Sequence, residues 1–154
     1  MPFKINISEK SGKTYHLESE NEELIGKSLH DKISGNILSP DLEGYELEIT
    51  GASDKAGFTA MKNVEGVGLK KVLLGYGKGM HQKPKGNKKV NKRPHGLRLR
   101  KIVRGKVVSQ EISQINLKIL KEGKKKLAEI FSEQNKKSEE NTQTIPHSDL
   151  YKKK

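Results

Sequence analysis

Apolar and polar positions alternate with period two at the start of the chain. Phe3, Ile5 and Ile7 are interleaved with Lys4 and Asn6, which predicts a half-buried strand. Ser11-Gly12 is a turn signal, and Thr14-Tyr15-His16-Leu17 reads as the return strand. Between Glu20 and Ile33 the spacing changes. Leu24, Ile25, Leu29 and Ile33 fall at helical intervals and predict a short helix, against which Gly26 counts. Ser39-Pro40-Asp41 breaks the chain. Tyr45, Leu47 and Ile49 then alternate with Glu46, Glu48 and Thr50, the clearest strand pattern in the sequence. Gly51 to Gly57, with Ser53-Asp54-Lys55 inside it, reads as a loop.

Leu69 to Leu74 is a further strand candidate, closely framed by Gly66, Gly68, Gly75, Gly77 and Gly79. Glycine permits positive φ and close backbone approach. Such density points to tight turns in a small barrel or to backbone pressed against a ligand. Residues 80–101 hold almost no apolar material. Ile102-Val103 and Val107-Val108 resume a strand pattern across Gly105, and Ile115, Leu117 and Ile119 alternate with Asn116 and Lys118. Lys121-Glu122-Gly123 turns the chain. Lys124 to Gln134 reads as a helix with Leu127, Ile130 and Phe131 on one face. The expected class is mainly β: a small β-barrel-like body with one or two short helices and a long basic loop. Residues 1–131 form a single β-rich domain in this reading, with a basic segment at 80–106. Residues 132–154 form a flexible polar tail, disordered in isolation.

Composition sharpens this picture. Of 154 residues, 31% are hydrophobic and 32% charged, with three Phe, four Tyr and no Trp, so the core is small. The absence of cysteine removes disulfides, thiolate metal sites and Cys nucleophiles together. No apolar run approaches the roughly 18 residues that a spanning helix needs. Met-Pro-Phe-Lys-Ile enters the first alternating pattern without the apolar core of a signal peptide. A cytoplasmic location is therefore expected.

The net charge of +12 is unevenly spread. Residues 1–60 carry a net of −5, residues 61–106 a net of +14 and residues 107–154 a net of +3. From Met80 to Lys106 there are 11 basic residues and no acidic one: Lys83, Lys85, Lys88, Lys89, Lys92, Arg93, Arg98, Arg100, Lys101, Arg104 and Lys106. Pro84, Gly86, Asn87, Pro94 and Gly96 argue against a continuous helix there, and self-repulsion argues against a compact loop. Phosphates remove the repulsion, and neutralising them releases condensed counterions. A solvated loop is the usual fate of a charge run, but a 27-residue span without a carboxylate is the footprint of a polyanion partner. The segment lacks the apolar face of a membrane-surface helix. These eleven residues are the expected RNA contacts.

Catalytic readings are poor. Gly75-Tyr76-Gly77-Lys78-Gly79 looks like a phosphate loop, but Met80 occupies the last glycine position of GxGxxG. Gly12-Lys13-Thr14 and Gly26-Lys27-Ser28 match the end of a Walker motif, yet Ile7 and Asn21 stand where its first glycine belongs. His16, His30, His81, His95 and His147 show no metal spacing. Asp54 with Lys55 fits a loop ion pair better than an acid/base pair. The chain is expected to be no enzyme and to need no cofactor.

Several motifs then resemble one family. They are Gly44-Tyr45-Glu46-Leu47-Glu48-Ile49-Thr50-Gly51, then Ser53-Asp54-Lys55-Ala56-Gly57-Phe58, then Met61-Lys62. Leu73-Leu74 with the following Gly-Lys-Gly-Met-His, Arg98-Leu-Arg-Lys-Ile-Val-Arg-Gly-Lys-Val-Val, Ile115-Asn116-Leu117 and Lys121-Glu122-Gly123 extend the agreement. Over roughly residues 3–131 the chain resembles small-subunit ribosomal protein S-six of the eukaryotic series, which archaea share. The resemblance implies a β-barrel-like body bound to ribosomal RNA, beside neighbouring ribosomal proteins. It implies a structural role in subunit assembly and translation; a free-standing RNA-binding translation or assembly factor is the alternative. Gly51–Phe58 is expected to be mainly an architectural loop, with Lys55 and Lys62 as secondary contacts. Thr59-Ala60 stands where the family usually has one Pro. Ser138 is followed by Glu139-Glu140 rather than lying in an Arg-rich motif, so the regulatory phosphoserines of eukaryotic members are not carried over, and the short form resembles the archaeal version.

Overall fold

The computed structural model describes residues 2–81 and 95–132. Each alternating segment becomes a strand, because period-two burial satisfies the pleat and the backbone ladder together. Strands β1 (Phe3–Ser8) and β2 (Thr14–Ser19) form an antiparallel pair, with Ile5 opposite Leu17. After β3 (Lys32–Ser34) comes β4 (Glu46–Asp54), then β5 (Leu69–Leu74), β6 (Leu99–Arg104) and β7 (Ile112–Lys121). The order in the five-stranded sheet is β2-β1-β7-β4-β3, and β5 and β6 form a separate two-stranded ribbon. Parallel pairing of β1 with β7 brings the two ends of the body together. The sheets do not close on themselves, so the body is barrel-like only loosely.

The inner row of the large sheet is the core. Ile5, Ile7, Leu47, Ile49 and Ile115 are fully buried, and Leu117 and Ile119 nearly so. Each such side chain contributes roughly 1.5–3 kcal/mol by leaving water. Tyr15, Leu24, Leu42, Tyr45 and Leu127 close over them. Val64, Met80 and Val103 are buried outside that cluster, on the ribbon side.

Three expectations need correction. The helix over Glu20–Ile33 is absent; only Glu22–Leu24 makes a 3-10 turn. Gly26 at φ +87° and His30 at φ +73° break any helix. The backbone between them pairs instead with residues 106–108: Gly26 N–H donates to Val108 O at 3.0 Å and Leu29 N–H to Lys106 O at 2.9 Å. Leu24, Leu29 and Ile33 still reach the core, so their spacing reported burial rather than helix. The presumed loop after Gly51 is also partly strand. A bulge at Thr50 shifts the register between Ile49 and Gly51, and β4 runs on to Asp54. Helix α1 covers Leu127–Ile130 and so begins later than Lys124, and Glu133 and Gln134 of the expected helix lie outside the described residues. Lys124, Lys125 and Lys126 crowd its start, where the macrodipole disfavours cations. Phe131 stacks on Tyr15 with ring centroids 5.3 Å apart, and the Tyr45 hydroxyl donates to Lys125 O. The tail expected beyond residue 132 lies outside the described residues.

Gly105 joins the ribbon to the large sheet. A Cβ there would lie 1.8 Å from Gly66 O, so the two backbones touch only because residue 105 has no side chain. Its N–H donates to Gly68 O at 3.1 Å. Gly105→Ala is expected to destabilise the fold by roughly 1–3 kcal/mol or more through overpacking. Chemical denaturation checks this, and an unchanged midpoint would contradict the contact.

Candidate RNA-binding surface

The ribbon is tied to the sheet by the turn that follows β4. Asp54 N–H donates to Phe58 O and Gly57 N–H to Asp54 O, which folds residues 54–58 tightly. Ala60 N–H returns to Ala52 O at 2.8 Å. Residues 59–61 then lie alongside β6: Arg104 N–H donates to Thr59 O at 3.0 Å, and Met61 N–H to Arg104 O at 3.1 Å.

Arg104 locks this junction. Its Nε donates to Asp54 Oδ2 at 2.9 Å and Nη2 to the same oxygen at 2.7 Å. Nη1 donates to Val67 O at 3.2 Å and also pairs with Glu111. The residue is only 5% exposed. Burial pulls the guanidinium pKa down, but hydrogen bonds and charges from Asp54 and Glu111 raise it above the ordinary value. The Asp54 carboxyl is held below the usual carboxylate range, chiefly by the Arg104 hydrogen bonds acting against burial. The loop ion pair expected at Asp54 therefore exists, with a partner 50 residues away rather than Lys55, which is exposed.

The eleven expected contacts divide by environment. Lys83, Lys85, Lys88, Lys89, Lys92 and Arg93 lie outside the described residues. Arg98 and Arg100 are exposed, and Lys101 is half-buried on β6. Lys106 pairs with Glu65 at 2.8 Å across a largely exposed gap; such a pair is worth little and exchanges readily. Arg104 alone of the described five is buried among carboxylates.

The ribbon also presents cations that the sequence reading did not single out. In its register Leu69 faces Arg104, Lys71 faces Ile102 and Leu73 faces Arg100. Each cross-strand pair on this face therefore joins one apolar and one basic side chain. Leu69, Leu73 and Ile102 are 48%, 55% and 38% exposed, an unusual amount of aliphatic surface for one small ribbon. Lys78 reaches towards Thr50 O at 3.5 Å. Burial, and then the Lys62 ammonium, hold its pKa below that of an ordinary lysine, so a bound anion there would relieve repulsion. No signal in the sequence separates Lys71 from surface lysines, because its cross-strand partner is fixed only by the register of β5 against β6, and Lys78 stood out only within the incomplete phosphate-loop pattern of Gly75–Gly79.

Comparison with known proteins places this arrangement. The ribosomal protein S6e family model matches residues 3–132. A small ribosomal subunit protein eS6 from Methanococcus maripaludis is 42% identical over 124 residues, covering 80% of this chain and 90% of its own length. The protein of that name from Archaeoglobus fulgidus is 42% identical over 139 residues, 86% and 98% of the two chains. That from Methanosphaera stadtmanae is 38% identical over 143 residues, 91% and 100%. The proteins it matches are structural proteins of the ribosome, not enzymes. The chain belongs to the ribosomal protein S6e family of the small subunit, in its archaeal form.

Removing Arg104 leaves the partly buried Asp54 carboxylate without its cation. Arg104→Ala is expected to cost roughly 3–5 kcal/mol, as for other broken buried pairs. The folded-state pKa of Asp54 lies below its unfolded value, so its contribution is complete above the ordinary carboxylate range. It is lost as pH falls through the folded-state pKa. Wild type should therefore lose stability on acidification more steeply than Arg104→Ala over that window. Parallel pH profiles from urea denaturation would refute the pairing.

Proposed function

We propose that the chain is a structural constituent of the small subunit that binds ribosomal RNA mainly through phosphate contacts. The ribbon and the basic segment between its strands make these contacts, with neighbouring ribosomal proteins as further partners. The observation that carries this reading is the run of 11 cations without a carboxylate from Met80 to Lys106, mounted on a ribbon whose Arg98 and Arg100 project into solvent. Arginine suits the task, since its planar fork pairs with phosphate oxygens and stacks on bases. The body holds the ribbon, and neutralised phosphates let RNA helices pack against it during assembly. Arg104 supports the site from beneath rather than touching RNA.

Arg98→Ala and Arg100→Ala are each expected to lower the salt slope of binding to small-subunit RNA by about one, with little change in stability. Arg104→Lys should leave the slope unchanged while destabilising the fold. Filter binding over a salt series measures the first quantity and denaturation the second. Equal slopes for all three variants and wild type would reject the phosphate assignment. A chain that sediments away from small subunits at low and moderate salt would instead support a free-standing factor.

A further inference from the structure

A groove of about 580 Å³ runs along the open side of β6, lined by Phe58, Lys71, His81, Arg100 and Ile102 together with Gly57, Thr59, Gly79 and Lys101. Its floor and its rim differ in chemistry. Phe58 and Ile102 supply apolar surface, Lys71, Arg100 and Lys101 supply positive charge, and no lining residue is acidic. The backbone contributes too. Arg104 turns its N–H and C=O away from β5 towards Thr59 and Met61, so by the two-residue period those of Ile102 and Arg100 face the groove.

Parts of the walls are tied into the body. Phe58 sits at the end of the turn clamped by Asp54 and Arg104. His81 meets the Tyr76 ring edge-on at 5.5 Å and follows Met80, which is fully buried. Gly79 has φ +79°, and a Cβ there would press on Thr59 Oγ1 at 3.1 Å and Leu74 Cδ1 at 3.3 Å, so a larger residue would be strained.

We propose that this groove holds one unstacked nucleotide of ribosomal RNA, its base against Phe58 and Ile102 and its phosphate on Lys71 and Arg100. The inference rests on the RNA-binding reading above and adds to it a site for a single-stranded or bulged residue. Phosphate contacts along a duplex need only charge. An aromatic ring beside exposed aliphatic surface, inside a cationic rim, is the chemistry that takes a base out of a stack. The absence of acidic lining disfavours a basic protein tail, which would meet like charge.

The test is binding of a single-stranded oligouridylate and of an RNA duplex of equal length to the full chain. Phe58→Leu and Ile102→Ser are compared with wild type, and thermal unfolding confirms that each variant is folded. Phe58→Leu is expected to weaken single-strand binding by about 5- to 150-fold, the range for loss of one aromatic stack, and to leave duplex binding and its salt slope unchanged. Ile102→Ser, at a partly exposed position, should act in the same direction if Phe58→Leu perturbs the turn. In purified small subunits, short-wave ultraviolet irradiation should attach a nucleotide to the tryptic peptide spanning residues 56–62. Single-strand binding unaffected by both substitutions overturns the groove but leaves phosphate binding standing. So does a nucleotide adduct confined to the basic segment, or chemical crosslinking of Lys71 and Lys101 only to another protein. Loss of salt-sensitive binding to both RNAs overturns the underlying reading itself.

Discussion

The Arg104–Asp54 pair is the interaction on which the rest of the molecule depends. Asp54 ends the long strand of the main sheet, and Arg104 ends the second strand of the ribbon. A guanidinium out of water needs anions and acceptors, and Asp54, Glu111 and Val67 O supply them. The pair costs desolvation on both sides, and two apolar residues of similar volume could match it for stability. Apolar contact would let the ribbon slide or rotate on the sheet. Two directed bonds to one carboxylate oxygen fix its angle, and Thr59 and Met61 then pair with Arg104 backbone rather than with solvent.

Orientation matters because the ribbon is where charge and apolar surface meet. The first 60 residues are acidic, with a net of −5, and the basic charge lies in the segment that follows. On the ribbon Lys71 and Arg100 are exposed, while its base is buried at Val103 and Arg104. On the proposed reading, salt-sensitive attraction would bring RNA to this face, and the pattern of cations and aliphatic groups would then decide how RNA lies on it. Gly105, touching Gly66, and Met80, buried at the foot of the loop, complete the frame.

Strands β1, β4 and β7 were legible because alternation at Phe3, Ile5 and Ile7, at Tyr45, Leu47 and Ile49, and at Ile115, Leu117 and Ile119 directly records one buried face. The path from Glu20 to Ile33 was not. Leu24, Leu29 and Ile33 are core residues of a turn-rich segment whose backbone is claimed by residues 106–108, and local spacing does not record that pairing. The basic segment was legible as charge, and the family motifs around Gly51–Phe58 were legible as letters. The difference between Arg104 and Arg100 was not legible. Both stand in one cationic run, and only the register of β6 against residues 59–61 turns one towards a carboxylate 50 positions upstream and leaves the other in solvent. The groove beside Phe58 was hidden for the same reason, since its walls come from four separate parts of the chain.

The central claim is that RNA binding depends on how the ribbon is held as well as on its charge. Asp54→Asn separates the two, because it removes a negative charge and leaves every basic residue of the chain in place. The measurement is the affinity of the folded Asp54→Asn protein for small-subunit RNA at fixed salt, beside wild type. Weaker binding is expected despite the more positive net charge, because Arg104 loses its main anchor and the ribbon loses its angle. Binding equal to or tighter than wild type would leave net charge as the sufficient cause and the anchor without a role in binding.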